Sequence, residues 1–468
     1  MHPCSGRNSA FGIKGVLFMK NRPLLDYLQN NKRYPFHMPG HKRNPDCGSL
    51  SLLGSGLDIT EIEGADNLHG AEGVLLSVME RGAALWGSDR SYLLVNGSTG
   101  GILAALSAVT RRGDKVLVGR NCHKSVYHGI ELLGLRPVFL MPEYVEELGV
   151  YGRLDVCTVA EAIAAHGDAV CLIMTSPTYE GYLSDIRGIS ELCHGKGLVL
   201  VVDEAHGAHL ELSPRFRGGA VMAGADLSVQ SLHKTLPALT QTAILHLKGG
   251  RVERHALEHA LAVFQTSSPS YLLMASAEQA IALAEEQEGF ESWYGLIKEL
   301  YGTTADLEHI SLLAETADRD ISKLVIRGKY GIELAAFLRS RGIETEYATH
   351  SFVLAMTGLG DRREGFELLG AALKAADAEL GDNAEAPLRY PCCEGELVMD
   401  IETAVKADFE LVPLSGAAGR IGAEYVWAYP PGIPLLIPGQ PVDARLAALD
   451  IKGLHSDRGA LPLVAVVK

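Results

Sequence analysis

From Ser91 to about Gly249, short apolar runs alternate with helical patterns, the order that builds βαβ units on a mostly parallel sheet. Tyr92-Leu93-Leu94-Val95, Lys115-Val116-Leu117-Val118, Pro137-Val138-Phe139-Leu140, Val170-Cys171-Leu172-Ile173-Met174 and Leu198-Val199-Leu200-Val201-Val202 are the expected strands. In such sheets ligands bind beyond the carboxyl ends of the strands. The residues that follow each run are therefore the ones to read for chemistry.

With 468 residues, 47% hydrophobic and 21% charged, the chain is long enough for two or three domains. After about Glu286, charged amphipathic helices and the run Lys323-Leu324-Val325-Ile326 predict a smaller α+β domain. The Asp/Ala/Gly-rich stretch 376–386 reads as a linker, and Tyr429-Pro430-Pro431-Gly432-Ile433-Pro434 reads as a fixed loop in a last unit. The expected division is an N-terminal segment 1–55, a large domain 56–290, a small α+β domain 291–386 and a C-terminal domain 387–468. A net charge of −15 argues against nucleic acid or an anionic membrane as partner. The eight cysteines show no CxxC pairing and no metal-like spacing, so reduced buried thiols and no metal are expected. No run of 18 apolar residues occurs, and Phe11 to Met19 is interrupted by Lys14 and lacks a signal-peptide cleavage site; the cytoplasm is the expected compartment.

Five polar clusters follow strands. Asn96-Gly97-Ser98-Thr99-Gly100-Gly101 lies between a strand and a helix, where N–H groups and hydroxyls can bind a phosphate, although a tight turn with a helix cap has the same composition. It matches neither GxGxxG nor GxxxxGK[ST]. His123, in Arg120-Asn121-Cys122-His123-Lys124-Ser125, could stack on a cofactor ring or simply cap a helix. Pro177-Thr178-Tyr179-Glu180-Gly181 can line a pocket or form an ordinary turn. Asp203, in Val201-Val202-Asp203-Glu204-Ala205-His206, can hold a pyridinium nitrogen protonated, with His206 one helical turn beyond to orient it or touch the cofactor. Ser231-Leu232-His233-Lys234-Thr235 supplies an amine able to condense with an aldehyde, beside a hydroxyl and a histidine able to hold a phosphate. Lys124 competes for the amine role, but Lys234 has the better neighbours. The convergence points to pyridoxal phosphate.

These residues resemble the ornithine/lysine/arginine decarboxylases of bacterial type, with the aspartate-aminotransferase (type I) fold. The resemblance runs through Pro35-Phe36-His37-Met38-Pro39-Gly40-His41-Lys42, Asp58-Ile59-Thr60-Glu61, Asp66-Asn67-Leu68-His69 and Asn96-Gly97-Ser98-Thr99-Gly100. It continues in Asn121-Cys122-His123-Lys124-Ser125, Asp203-Glu204-Ala205-His206-Gly207, Ser231 to Gln241 and Tyr429 to Pro434. It implies that Lys234 links to the cofactor, Asp203 pairs with the pyridine nitrogen and His123 stacks on the ring. Ser98, Thr99, Ser231 and His233 would hold the phosphate, and His206 would support the ring. It further implies a short form without the receiver-like wing domain, a homodimer or higher homo-oligomer, and decarboxylation of a basic amino acid in polyamine biosynthesis. Arginine is favoured, then lysine or ornithine. Met19 stands about where short members begin, so translation is expected to start there, with residues 1–18 upstream of it.

Other readings stay open at this stage. An aminotransferase or a lyase would use the same cofactor, with Arg389 as a carboxylate anchor, and a non-catalytic protein could bind it without turnover. For a dibasic substrate, Glu424 is the candidate acid at the far end of the pocket, against the alternative of a surface glutamate.

Overall fold

A computed structural model describes residues 22–46, 48–328, 331–380, 393, 395–428, 432–449, 454–457 and 461–468. A seven-stranded sheet forms its centre, in the spatial order Arg90–Leu94, Ala243–Leu247, Leu227–Gln230, Val199–Asp203, Ala169–Thr175, Lys115–Gly119, Arg136–Leu140. All five expected strands are present. Two more, Leu227–Gln230 and Ala243–Leu247, complete the sheet. Ala243–Leu247 is antiparallel to both of its neighbours and the other pairings are parallel. Two reversals restore direction, so Arg90–Leu94 points the same way as Leu227–Gln230. The carboxyl ends that carry the five polar clusters therefore meet along one edge of the sheet.

A second sheet, Ser311–Leu312, Lys323–Arg327, Phe352–Met356 and Tyr347–Ala348 in spatial order, is antiparallel throughout. Successive side chains of a strand point to opposite faces. Leu324 and Ile326 accordingly join the core that contains Leu232 and Leu236 around Lys234, while Val325 packs with Tyr347 and Leu354. This places the second sheet directly behind the lysine-bearing segment.

The last unit holds two small antiparallel sheets, Phe409–Pro413 with Leu463–Val467, and Val426–Ala428 between Ile433–Leu436 and Leu454–Ser456. Arg120, almost fully buried, donates to the Pro434 and Leu435 carbonyls at 2.5 and 3.2 Å, tying this unit to the strand end before His123.

Several local expectations are corrected. Residues 376–380 are not linker but the end of the helix Arg363–Leu380, because Ala376 is buried on its apolar face; 381–386 lie outside the described residues. Ile433 and Pro434 open a strand instead of closing a loop, since Pro434 can occupy a strand position where its missing N–H is not needed; 429–431 lie outside the described residues. Among the described cysteines, Cys122, Cys171, Cys193 and Cys393 are buried free thiols, but Cys157 is exposed on the first turn of its helix. Residues 1–18 and Arg389 also fall outside the described residues.

Candidate active site

Lys234 sits in the single helical turn Leu232–Thr235, immediately after the strand Leu227–Gln230. Its Nζ lies 2.8 Å from His206 Nε2 and 6.0 Å from the centre of the Tyr179 ring. Burial pushes the amine toward its neutral form; Asp203 and Glu346 oppose this and Lys323 reinforces it. Asp203, last residue of Val199–Asp203, is buried and accepts a hydrogen bond from the Ala205 N–H at 3.2 Å. Burial raises its proton affinity, and the nearby Lys234 charge works against that rise. A buried carboxyl in this state is suited to a cationic N–H partner.

Of the two roles open to His206, orienting Asp203 or touching the cofactor, the contacts favour the second: the chain makes tight turns from 205 to 211 in place of a helical turn, and the ring reaches Lys234. A Cβ on Gly207 would come 2.6 Å from Glu204 Cγ and 2.9 Å from Pro177 Cδ, which shows how tightly this segment folds against the pocket loop. The imidazole packs on Tyr179 with ring centres 4.4 Å apart, and its Nδ1 is buried without a partner among the described residues. Burial, then the charges of Lys234 and Lys323, hold it neutral.

Asn96 precedes a helix that already begins at Gly97, so the glycine-rich stretch forms the first turns of Gly97–Val109 and is not a separate turn. Ser98 Oγ meets Ser231 Oγ at 2.6 Å across the two strand ends, and Thr99 is exposed beside it. Two hydroxyls at a helix N-terminus form an anion cradle. His233 Nδ1 lies 2.8 Å from the Thr242 carbonyl, which commits that nitrogen as a donor and leaves Nε2 for another partner. His123 caps the helix Lys124–Leu133, its Nδ1 accepting from the Ser125 N–H at 3.2 Å. Burial first, then the charge of Lys234, lowers its pKa to about 4.

Lys124 turns away, its Nζ 5.0 Å from the Trp427 ring centre, which removes it as the rival amine. Glu424 is buried in the C-terminal unit, where Oε1 accepts from the Ala465 N–H at 2.6 Å. The acid that the structure does bring to the pocket is Glu346, which accepts from the Tyr179 hydroxyl and whose charge Lys234 feels. No sequence signal marked it: it is one exposed glutamate among many, 167 residues from Tyr179. Glu204 and His209, without a role from sequence, are structural neighbours. Glu204 accepts from Ala220 N–H, Ser228 Oγ and Gln230 Nε2, on the face of the strand end turned away from Lys234.

The arrangement fits pyridoxal phosphate: a half-buried amine, a buried carboxyl across from it, paired hydroxyls at a helix N-terminus, and an orphaned buried imidazole nitrogen able to take a polar group.

Residues 21–321 match the family profile described as Orn/Lys/Arg decarboxylase, major domain, and 398–450 match its C-terminal domain. An uncharacterized Bacillus subtilis protein, YaaO, is 35% identical, covering 90% of this chain and 92% of its own. The arginine decarboxylase of Bacillus anthracis is 32% identical over 89% of this chain and 90% of its own. The crystal structure of the Francisella novicida lysine decarboxylase LdcF superposes with a TM-score of 0.80 at 19% identity, covering 96% of this chain and 81% of that one. At that identity the superposition speaks for the fold, whereas the profile match over more than half of the chain and the 35% identity to YaaO speak for descent: the chain belongs to the Orn/Lys/Arg decarboxylase family.

Proposed function

We propose that the protein is a pyridoxal-phosphate-dependent carboxy-lyase that converts a basic L-amino acid, arginine first, to its amine and CO2. The observation that carries this reading is the contact of Lys234 with His206 in a buried pocket that also holds Asp203. When bound, pyridoxal phosphate supplies an aldehyde for the Lys234 amine and a ring that withdraws electrons from the substrate Cα.

Ser98, Thr99, Ser231 and His233 would hold its phosphate, Asp203 its ring N–H, and His123 would lie against the ring. Lys234, kept toward neutrality by burial, can act as nucleophile and then as a proton donor or acceptor at the substrate amine. His206 stays neutral and can accept a hydrogen bond from Lys234 at Nε2. Tyr179 and the second sheet restrict water at the pocket. Glu346 is the acid proposed to read the cationic end of the substrate, in place of Glu424, whose Oε1 accepts from Ala465 in the C-terminal unit. Arginine is preferred because the 32%-identical relative carries that name, whereas the lysine decarboxylase of Escherichia coli K12 is 24% identical.

The test is an incubation of purified protein and cofactor with L-arginine, L-lysine or L-ornithine, measuring CO2 and amine. Agmatine and CO2 from arginine are expected; keto acid without CO2 would favour transamination. Borohydride reduction should leave the cofactor on the peptide containing Lys234.

Self-association, a cytoplasmic location and supply of a polyamine pathway belong to the same proposal. Among the described residues no helix is long and apolar enough to cross a membrane. Tyr34, Phe36, Leu52 and Leu53 are 71%, 91%, 85% and 72% exposed in one short stretch of chain, an apolar density that supports burial against a second copy.

A further inference from the structure

Behind the pocket, the second sheet delivers a buried ionic cluster. Lys323 opens the strand Lys323–Arg327, and its side chain, like those of Asp320 and His209, is wholly buried. Nζ donates to Asp320 Oδ2 at 2.8 Å, to Ser322 Oγ at 3.0 Å and to the His206 carbonyl at 3.1 Å, so every donor of an ammonium is used. Asp320 Oδ1 accepts from the Ser322 N–H at 2.9 Å and faces His209 Nε2 at 3.2 Å. Burial alone would raise the pKa of Asp320, but Lys323 and His209 hold it well below the usual carboxylate range.

An ion pair is a costly way to fill a core, because apolar side chains of similar volume would pack there without desolvating charge. This pair does something apolar groups cannot. It grips the carbonyl of the residue whose ring touches Lys234. His206 is thereby held by Lys323 at the backbone, by Tyr179 at the ring face and by Lys234 at Nε2. The backbone beside it is close-fitting as well: Gly181 has φ +94, and a Cβ there would come 2.9 Å from the Asp320 carbonyl and 3.0 Å from Lys323 Cγ.

We propose that Lys323 is a positioning residue for the reaction: locked by Asp320, it grips the His206 carbonyl and so fixes the reach of His206 to Lys234. The inference rests on the reading of Lys234 as the cofactor-binding lysine. The charges facing Lys234 are Asp203 and Glu346, which favour its protonated form, and Lys323, which joins burial in opposing it. Those facing His206 are Lys234, Lys323 and His123, with Asp320 acting in the opposite direction. Removing the Lys323 charge leaves Asp203 and Glu346 less opposed, so Lys234 keeps its proton to higher pH.

The experiment titrates the holoenzyme from about pH 5 to 10, a span that covers ordinary histidine and lysine values, reading the visible absorbance of the cofactor bound at Lys234. Lys323→Met strands Asp320 as a lone buried charge, so the double variant Lys323→Met/Asp320→Leu is run beside it; replacing both partners by apolar groups is tolerated where removing one is not. Lys323→Met is expected to move the midpoint upward by about half a unit or more, a threefold or larger gain in proton affinity, and the double variant, which also removes the opposing Asp320 charge, by less in the same direction, with Lys323→Arg returning it toward wild type. A fall in kcat larger than any change in KM should accompany the shift. A folded double variant with the wild-type midpoint and kcat would overturn the proposal and leave the cluster a purely structural one. A wild-type protein with no absorbance band would instead overturn the cofactor reading, and this inference with it.

Discussion

Adjacent residues Asp203 and Glu204 show how strand alternation divides labour between two buried carboxyls. Asp203 faces the Lys234 amine, whereas Glu204 is turned to Ala220, Ser228 and Gln230. Burial raises the Glu204 pKa from 4.5 to about 7, against the pull of its three donors. A folded carboxyl with a raised pKa binds more protons than the unfolded chain between 4.5 and about 7, so its contribution to stability is present below that window and is lost as pH rises through it. Glu204→Gln mimics the protonated acid. The melting temperature of the variant should therefore gain on wild type from pH 4.5 to about 7, by roughly 3 kcal/mol in stability across the window. Parallel thermal melts at both ends check this, and a difference that stays constant with pH refutes it. At the pocket mouth, Glu346→Gln removes a charged partner of Tyr179. KM for the basic substrate should rise about tenfold with kcat little changed, at the low end for a charge-assisted bond because Glu346 is exposed. Steady-state kinetics with arginine separates the two parameters.

The helix Gly97–Val109 carries Ser98 into the site only because it can lie close on the sheet. A Cβ at Gly101 would come 2.6 Å from Leu94 Cδ1 and 2.7 Å from Val229 Cγ1, on the two strands that flank Ala243–Leu247. Gly101→Ala therefore overpacks the interface and should cost about 1–3 kcal/mol, read as a lower urea midpoint at unchanged slope. The same displacement would separate Ser98 from Ser231, so cofactor affinity should fall with it. In the sequence this stretch reads equally as a phosphate-binding helix start or a tight turn with a helix cap, because glycine composition is shared by turns and by helices pressed against a sheet. What distinguishes them is the neighbour at van der Waals distance, and a one-dimensional pattern does not contain it.

At the scale of the molecule, two sheets and a C-terminal unit converge on one sheet edge. Arg120 is the clearest tie, a buried guanidinium shared between the strand end before His123 and the backbone of Pro434 and Leu435. The exposed side chains Tyr34, Phe36, Leu52 and Leu53 have no comparable cover among the described residues. The triple variant Phe36→Ser/Leu52→Ser/Leu53→Ser should shift the mass seen by light scattering toward that of a 50.2 kDa monomer, while far-UV circular dichroism stays unchanged. A variant that keeps the wild-type mass would show that this segment is not the interface.

The sequence by itself determined the alternating sheet, the strand ends that matter and the family, because each is written in short-range patterns: apolar runs of strand length, and contiguous motifs such as Asp203 to Gly207 and Ser231 to Gln241. It also singled out Lys234 over Lys124, through neighbours in the chain. Tertiary structure alone decided that His206 touches Lys234, that Glu346 meets Tyr179 while Glu424 meets Ala465, and that Lys323 holds His206 from behind. Those contacts join residues 28, 167 and 117 positions apart. A lone glutamate or lysine has no period and no motif to announce it; it acquires a role only when folding brings a hydroxyl, an opposite charge or a carbonyl within reach.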